Sequence, residues 1–144
     1  MPYSPLMVQP MRQELVAAGF AELKTPEEVD AFMAERSSGL LVVNSVCGCA
    51  AGQARPGVRL AVQHGVAPER LATVFAGVDV EATERARGYF AEVPPSSPSI
   101  ALFKDGELVY FVPRHRIESR SAQDVAADLT GAFERLLAAS PAAG

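Results

Sequence analysis

Apolar positions follow two rhythms along the chain, one stepping by three and four residues and one continuous. Met11, Leu15 and Phe20 predict a short first helix, with Gly19 near its end. Thr25 reads as an N-cap, with Pro26 at the first helical position and Glu28 three residues after the cap. Val29, Phe32 and Met33 give that second helix its apolar face. Leu40 to Val43 is a continuous apolar run between Gly39 and Asn44, the pattern of a strand buried on both faces. From Cys49 to about Gln63 the helical rhythm returns through Val58, Ala61 and Val62. Pro56 inside that stretch should kink the helix or delay its regular start.

Leu71 to Val78 predicts a second buried strand, and Glu81 to Phe90 a helix with Ala82, Ala86 and Phe90 spaced by four. Ile100 to Phe103 and Leu108 to Val112 read as strands joined by Asp105-Gly106, a hairpin signal that makes them antiparallel. Ser121 with Asp124 starts a last helix lined by Val125, Leu129, Phe133 and Leu136. The order is α-α-β-α-β-α-β-β-α. The first two strands, joined by a helix, should lie parallel through a right-handed crossover. The natural packing is an α/β three-layer sandwich, a four-stranded mixed sheet with helices on both faces. This is the thioredoxin arrangement preceded by an extra N-terminal helical segment. A single domain over 1–144 is expected, with a soft arm from Met1 to Pro10 and a flexible tail at 140–144.

Composition narrows the function. At 144 residues and 49% apolar content, the chain can bury a core without metal or disulfide staples. Its net charge of −4 lacks the basic face of a nucleic-acid binder. The best uncharged window, Ser37 to Ala54, carries Asn44, Ser45, Gln53 and three glycines, too polar to span a bilayer. The opening MPYSPLMVQPMRQEL has no basic segment followed by an apolar one, so a cytoplasmic location is expected.

The two cysteines, Cys47 and Cys49, are separated only by Gly48. A bridge across one residue closes almost no loop and constrains the unfolded chain very little, so the pair points to chemistry rather than to a structural staple. The pair stands where a buried strand gives way to a helix. The N–H groups and dipole of a helix start stabilise a thiolate there. Gly48 is expected to let the backbone turn tightly between the sulfurs. Ser45 can hydrogen-bond near the thiolate or simply cap the helix. Arg55 and Arg59, on the helix that follows, can favour the thiolate or be solvated. Pro98 comes after the loop Val93 to Ser97 and just before the hairpin strand. That placement fits a cis bond bringing backbone beside the cysteines, with the Ser97 backbone free to pair with an incoming peptide or thiol.

The segment Val46-Cys47-Gly48-Cys49-Ala50-Ala51-Gly52, followed by Ala54-Arg55-Pro56, resembles the CGC signature of the bacilliredoxins. These are thioredoxin-like proteins of bacteria that use the small thiol bacillithiol. Pro10-Met11-Arg12 with Glu14-Leu15 and Gly19-Phe20 is similar to that family too, as is Pro98-Ser99-Ile100-Ala101-Leu102-Phe103. The similarity covers nearly the whole chain apart from its last few residues. It implies a thiol–disulfide oxidoreductase that removes bacillithiol from S-bacillithiolated client proteins. Cys47 would attack and Cys49 would be the candidate resolving cysteine. Bacillithiol would be a co-substrate, with no tightly bound cofactor. Ser97, Pro98, Gly48, Ser45 and Arg55 are the candidate substrate-side residues.

A Cys-Gly-Cys disulfide closes a smaller ring than Cys-x-x-Cys, and disulfide geometry is hard to satisfy across one residue. The pair should therefore be a poor reductant, which favours a monothiol or isomerase-like route. Two other classes stand beside this reading: a disulfide isomerase or general thioredoxin-like reductase, and a non-enzymatic metal-binding module. For a metal such as Cu(I) or Zn(II), the remaining nitrogen ligands are His64 and His115, which lack motif spacing. Arg114-His115-Arg116 with Arg120 is the most basic stretch. It is either a solvated strand end or a steering patch for acidic clients or for carboxylates of the thiol co-substrate. Asp79 and Glu81 fit a strand end and a helix start and receive no acid–base role.

Overall fold

The structure, a computed structural model, describes residues 3–138. The tail expected at 140–144 lies outside the described residues. Helix α1 spans Pro5–Val16, opened by the Ser4 side chain, which accepts from the Leu6 N–H. Most of the expected arm is thus helix. Two prolines and the exposed Leu6 and Met7 hide a periodicity that Val8, Arg12 and Leu15 carry into the interior. Strand β1, Ala21–Glu22, pairs parallel with a later strand; its two residues carry no apolar run by which sequence could reveal it. Helix α2, Pro26–Ala34, starts at Thr25 with both bonds of a capping box present.

Strand β2, Gly39–Asn44, is buried at all six positions. After the cysteines comes a wide turn over Ala50–Ala54, in which the Arg55 N–H donates to the Ala50 carbonyl five residues back. Regular helix α3 follows over Arg55–Ala61. Pro56 has no N–H to give, so it sits in the first turn of α3, and the delayed start, rather than a kink within a regular helix, is what forms. Strand β3, Arg70–Phe75, stops three residues earlier than expected, because Gly77 turns the chain at φ +83°. Helix α4 covers Val80–Gly88. Strands β4 (Ser99–Lys104) and β5 (Glu107–Val112) form the hairpin. Asp105 at φ 54° and Gly106 at φ 83° give it the doubly positive turn that matches strand twist. Helix α5, Ala122–Leu136, starts at a Ser121–Asp124 capping box.

The sheet has five strands, one more than expected, in the order β1-β3-β2-β4-β5. β3 runs parallel to β1 and β2, whereas β4 is antiparallel to β2 and β5. Alternation along the central strand β2 builds two cores. Leu40 and Val42 join Val58, Val125, Leu129 and Phe133 from α3 and α5. Leu41 and Val43 join Val29, Met33, Ala82 and Ala86 from α2 and α4. Gly57 is the close-approach point of α3 and α5: a Cβ there would stand 2.8 Å from Val125 Cγ1. The start of α3 is therefore held firmly against the molecule. No helix among the described residues is long and apolar enough to cross a membrane.

Candidate active site

The site is built at the C-terminal end of β2. Asn44, 1% exposed, closes the strand, and its Oδ1 accepts from the Ser45 N–H at 2.8 Å. The same oxygen accepts from Arg55 Nη1 at 2.9 Å. Arg55 Nη1 also donates to the Ser45 carbonyl at 2.8 Å, and its Nε donates to Glu14 Oε1 on α1 at 3.1 Å. Expected as a cation on the substrate side, Arg55 is instead 1% exposed and turned inward. It fastens the exit of β2 to α1 from beneath, so it positions the cysteine loop and touches neither sulfur.

Beyond Ser45 the chain turns outward. The Cys47 N–H donates to Ser45 Oγ at 3.2 Å, and the Ser45 side chain also hydrogen-bonds the Cys47 thiol, so Ser45 takes the place beside the thiolate. The Ala50 and Ala51 N–H groups donate to the Cys47 carbonyl at 3.1 and 3.2 Å, starting the helix on the cysteine itself. The two Sγ atoms stand 2.8 Å apart. Both cysteines are free and half-buried. Gly48 between them is exposed, its φ lies outside the left-handed region, and a Cβ there would meet open space. The expected tight turn therefore does not require glycine at this position.

Environment splits the two thiols. Burial pushes the Cys47 thiol up, but hydrogen bonds from Cys49, Ser45 and the N–H groups of Ala50 and Cys49 outweigh it and hold the group below its ordinary value. Burial raises the Cys49 thiol. Its hydrogen bond to Cys47 and the negative charge there add to the effect, against a pull downward from Arg114. The pair thus favours a thiolate on Cys47 and a proton on Cys49.

Cys47 opens onto a cleft of about 400 Å³ shared with Ser45, Ser97, Arg87 and Arg114. Cys49 packs against the core formed by α3 and α5. The Ser97–Pro98 bond is cis, Pro98 is buried and Ser97 lines the cleft, its carbonyl accepting from Arg114 Nη1 at 3.3 Å. Of the basic stretch, only Arg114 reaches the cleft; Arg116 and Arg120 pair with Asp128. Arg59 lies exposed on α3, beside a separate hollow. Arg87, from the last turn of α4, is a cleft residue that sequence reasoning missed, because a basic residue in the last turn of a helix ordinarily serves the dipole.

The residues outside the cleft take structural places. Asp79 accepts from Arg12 in a two-pronged pair at 2.9 and 3.0 Å, tying α1 to the β3–α4 turn. His64 lies 2.5 Å from Glu134, and His115 sits in the short turn Arg114–Arg116. Among the described residues, no third His, Cys, Asp or Glu joins the two sulfurs in a metal-holding group.

A family model described as disulphide isomerase matches residues 3–136. The chain is 55% identical over 134 residues to a bacilliredoxin of Cytophaga hutchinsonii, covering 93% of this chain and 99% of that one. It is 54% identical over 136 residues to a bacilliredoxin of Bacillus cereus, covering 92% and 94%. Thioredoxin O2 of Arabidopsis thaliana, in its oxidised state, superposes with a TM-score of 0.56 at 17% identity, over 83% of this chain and 96% of that one. Oxidised mitochondrial thioredoxin 3 of Saccharomyces cerevisiae gives 0.56 at 17%, over 81% and 95%. The distant pair carries the fold, which is that of thioredoxin. The near relatives and the model over residues 3–136 carry more: the chain belongs to the bacilliredoxin family.

Proposed function

We propose that this protein removes bacillithiol from S-bacillithiolated client proteins. Family and fold support a thiol–disulfide redox role, and kinship with bacilliredoxins points to the narrower substrate. One observation carries the assignment of roles: Cys47, held towards its thiolate, faces the cleft, whereas Cys49, held towards its thiol, stands behind it at 2.8 Å.

The Cys47 thiolate attacks the bacillithiol sulfur of the mixed disulfide. A Cys47–bacillithiol bond forms and the client–bacillithiol bond breaks. The electron pair leaves with the client sulfur, which takes a proton from water. A second bacillithiol can then attack the bacillithiol sulfur held on Cys47, leaving as bacillithiol disulfide and restoring the thiolate. Alternatively Cys49 gives up its proton and attacks Cys47, which forms the Cys47–Cys49 disulfide and releases bacillithiol. Bacillithiol thus acts as a co-substrate, in the cytoplasm.

A second reading, disulfide isomerase or general reductase, is favoured by the hollow of about 450 Å³ beside the cis-proline loop. Val93, Pro95, Phe111 and Pro113 give it apolar walls suited to peptide. The test is to compare release from one client carrying bacillithiol, glutathione or a protein disulfide. Fastest release from the bacillithiol adduct is expected. Equal rates on all three favour the second reading. No release, with one Cu(I) or Zn(II) bound to the folded protein instead, means a metal-binding module.

A further inference from the structure

The cleft that holds Cys47 carries two cations, Arg87 with no carboxylate partner among the described residues and Arg114 paired through Nε alone with the half-exposed Glu118. Arg87 makes a single hydrogen bond, from Nη2 to the Ser96 carbonyl at 3.2 Å. Its Nε is buried with no partner, and among the described residues no carboxylate lies within ion-pair distance of it. Arg114 stands across the same cleft. Its Nε goes to Glu118 at 3.0 Å and its Nη1 to the Ser97 carbonyl at 3.3 Å, leaving Nη2 unused. Both arginines are therefore tied to the Ser96–Ser97 segment by backbone carbonyls, which fixes their direction; among the described residues Arg87 is left without a counter-charge, and Arg114 shares its charge with the half-exposed Glu118. Arg87 is half-buried, and a guanidinium nitrogen shut from water without a partner is costly unless something completes it. The other arginines around this end of the fold are completed by the protein: Arg12 by Asp79 and Glu22, Arg55 by Glu14, Arg116 and Arg120 by Asp128.

We infer that Arg87 and Arg114 form a carboxylate-reading clamp beside Cys47, selecting small thiols and mixed disulfides that carry a carboxylate. Planar guanidinium forks suit a carboxylate. The clamp rests on the proposed thiol-exchange role, deepening it by naming the class of leaving and entering thiol. It gives the cleft a specificity that the two sulfurs alone cannot supply, because a thiolate by itself does not distinguish a carboxylate-bearing thiol from a neutral one.

Paired alkylating probes test the clamp without requiring disulfide exchange. In a Cys49→Ser background only Cys47 reacts. Its thiolate displaces iodide from iodoacetate or iodoacetamide: the S–C bond forms, the C–I bond breaks, and iodide leaves with the electron pair. The ratio of the two rates cancels the thiolate fraction, so a change in the Cys47 titration does not move it. Normalised to the same ratio for 2-mercaptoethanol, the anionic reagent should be favoured by about tenfold at low salt, the lower end of electrostatic steering, and less at 0.5 M salt. Arg114→Gln, at a half-exposed position, should reduce the preference, and Arg87→Gln with Arg114→Gln should bring the ratio to about one. Lysine at both positions should restore part of it. Arg59→Gln, away from the cleft, should leave the ratio as it is. No anionic preference in the parent protein, or a preference that survives the double substitution, overturns the clamp.

A second arm separates this inference from the function beneath it. Rates of exchange with 3,3′-dithiodipropionate and with 2-hydroxyethyl disulfide are compared in the same variants. Exchange with both disulfides at equal normalised rates, together with no alkylation preference, sinks the clamp and leaves the redox role standing. Anionic preference in alkylation with no exchange of either disulfide keeps the clamp and sinks the redox role.

Discussion

Arg55 Nη1 lies 2.9 Å from Asn44 Oδ1, both side chains buried, directly beneath the loop that presents Cys47. The same guanidinium holds the Ser45 carbonyl and reaches Glu14, whose carboxylate is about a third exposed. Replacing Arg55 by Met keeps much of its volume but leaves these acceptors short of a donor. The expected loss is about 2–3 kcal/mol, the scale for charge-assisted hydrogen bonds with one partly screened partner. A urea midpoint should fall accordingly, and Cys47 alkylation should slow because the loop is less fixed. An unchanged midpoint would mean that Arg55 does not hold the loop.

Cys47 owes its lowered titration to donors around the sulfur, which overcome the effect of burial. Each donor stabilises the thiolate more than the thiol, so removing one raises the midpoint. Cys49→Ala and Ser45→Ala should each shift the pH–rate profile of Cys47 alkylation towards higher pH and lower the rate at pH 7. Titration of the reduced wild type should report on the pair of thiols rather than on one. A profile that stays put in both variants would assign the low value to the helix start alone.

Gly57 packs where α3 meets α5, with a hypothetical Cβ only 2.8 Å from Val125 Cγ1 and 3.2 Å from the Ala122 carbonyl. Gly57→Ala should cost about 1–3 kcal/mol through overpacking. Adding Val125→Ala should recover part of that loss if the clash is the cause, and a thermodynamic cycle over the four proteins measures the coupling.

At Gly48 the opposite outcome is expected. The position is exposed, in the first turn of a helix, and open to a Cβ. Gly48→Ala should be neutral or stabilising by up to about 1 kcal/mol, through lower entropy of the unfolded chain. Loss of stability would restore the view that this turn needs glycine.

Local signals carried much of the fold. The Asp105-Gly106 hairpin, the Thr25 and Ser121 capping boxes and the continuous strand Leu40–Val43 are each decided within a few residues, and each forms as expected. The position of Cys47 at a strand-to-helix junction belongs with them. Long-range partners were not legible. β1 exists because Ala21 and Glu22 meet Ala72 and Thr73, about fifty residues away, with no apolar run of their own. The inward course of Arg55 depends on Asn44 and Glu14 converging from two other elements, and the reach of Arg87 into the cleft depends on the Ser96 carbonyl. Charge in a sequence reads as surface, and only the packed chain reveals which cations are buried or face the cleft.

The proposed transfer of bacillithiol from a client to Cys47 is read most directly by mass. Reduced protein is mixed with a client bearing bacillithiol in a mixed disulfide, and intact masses are followed for wild type, Cys47→Ser and Cys49→Ser. The free client should appear with wild type and with Cys49→Ser, and the latter should retain the bacillithiol adduct on Cys47. Cys47→Ser should leave the client modified. Transfer that persists in Cys47→Ser, or no transfer to wild type while the folded protein remains alkylatable, would contradict the proposal.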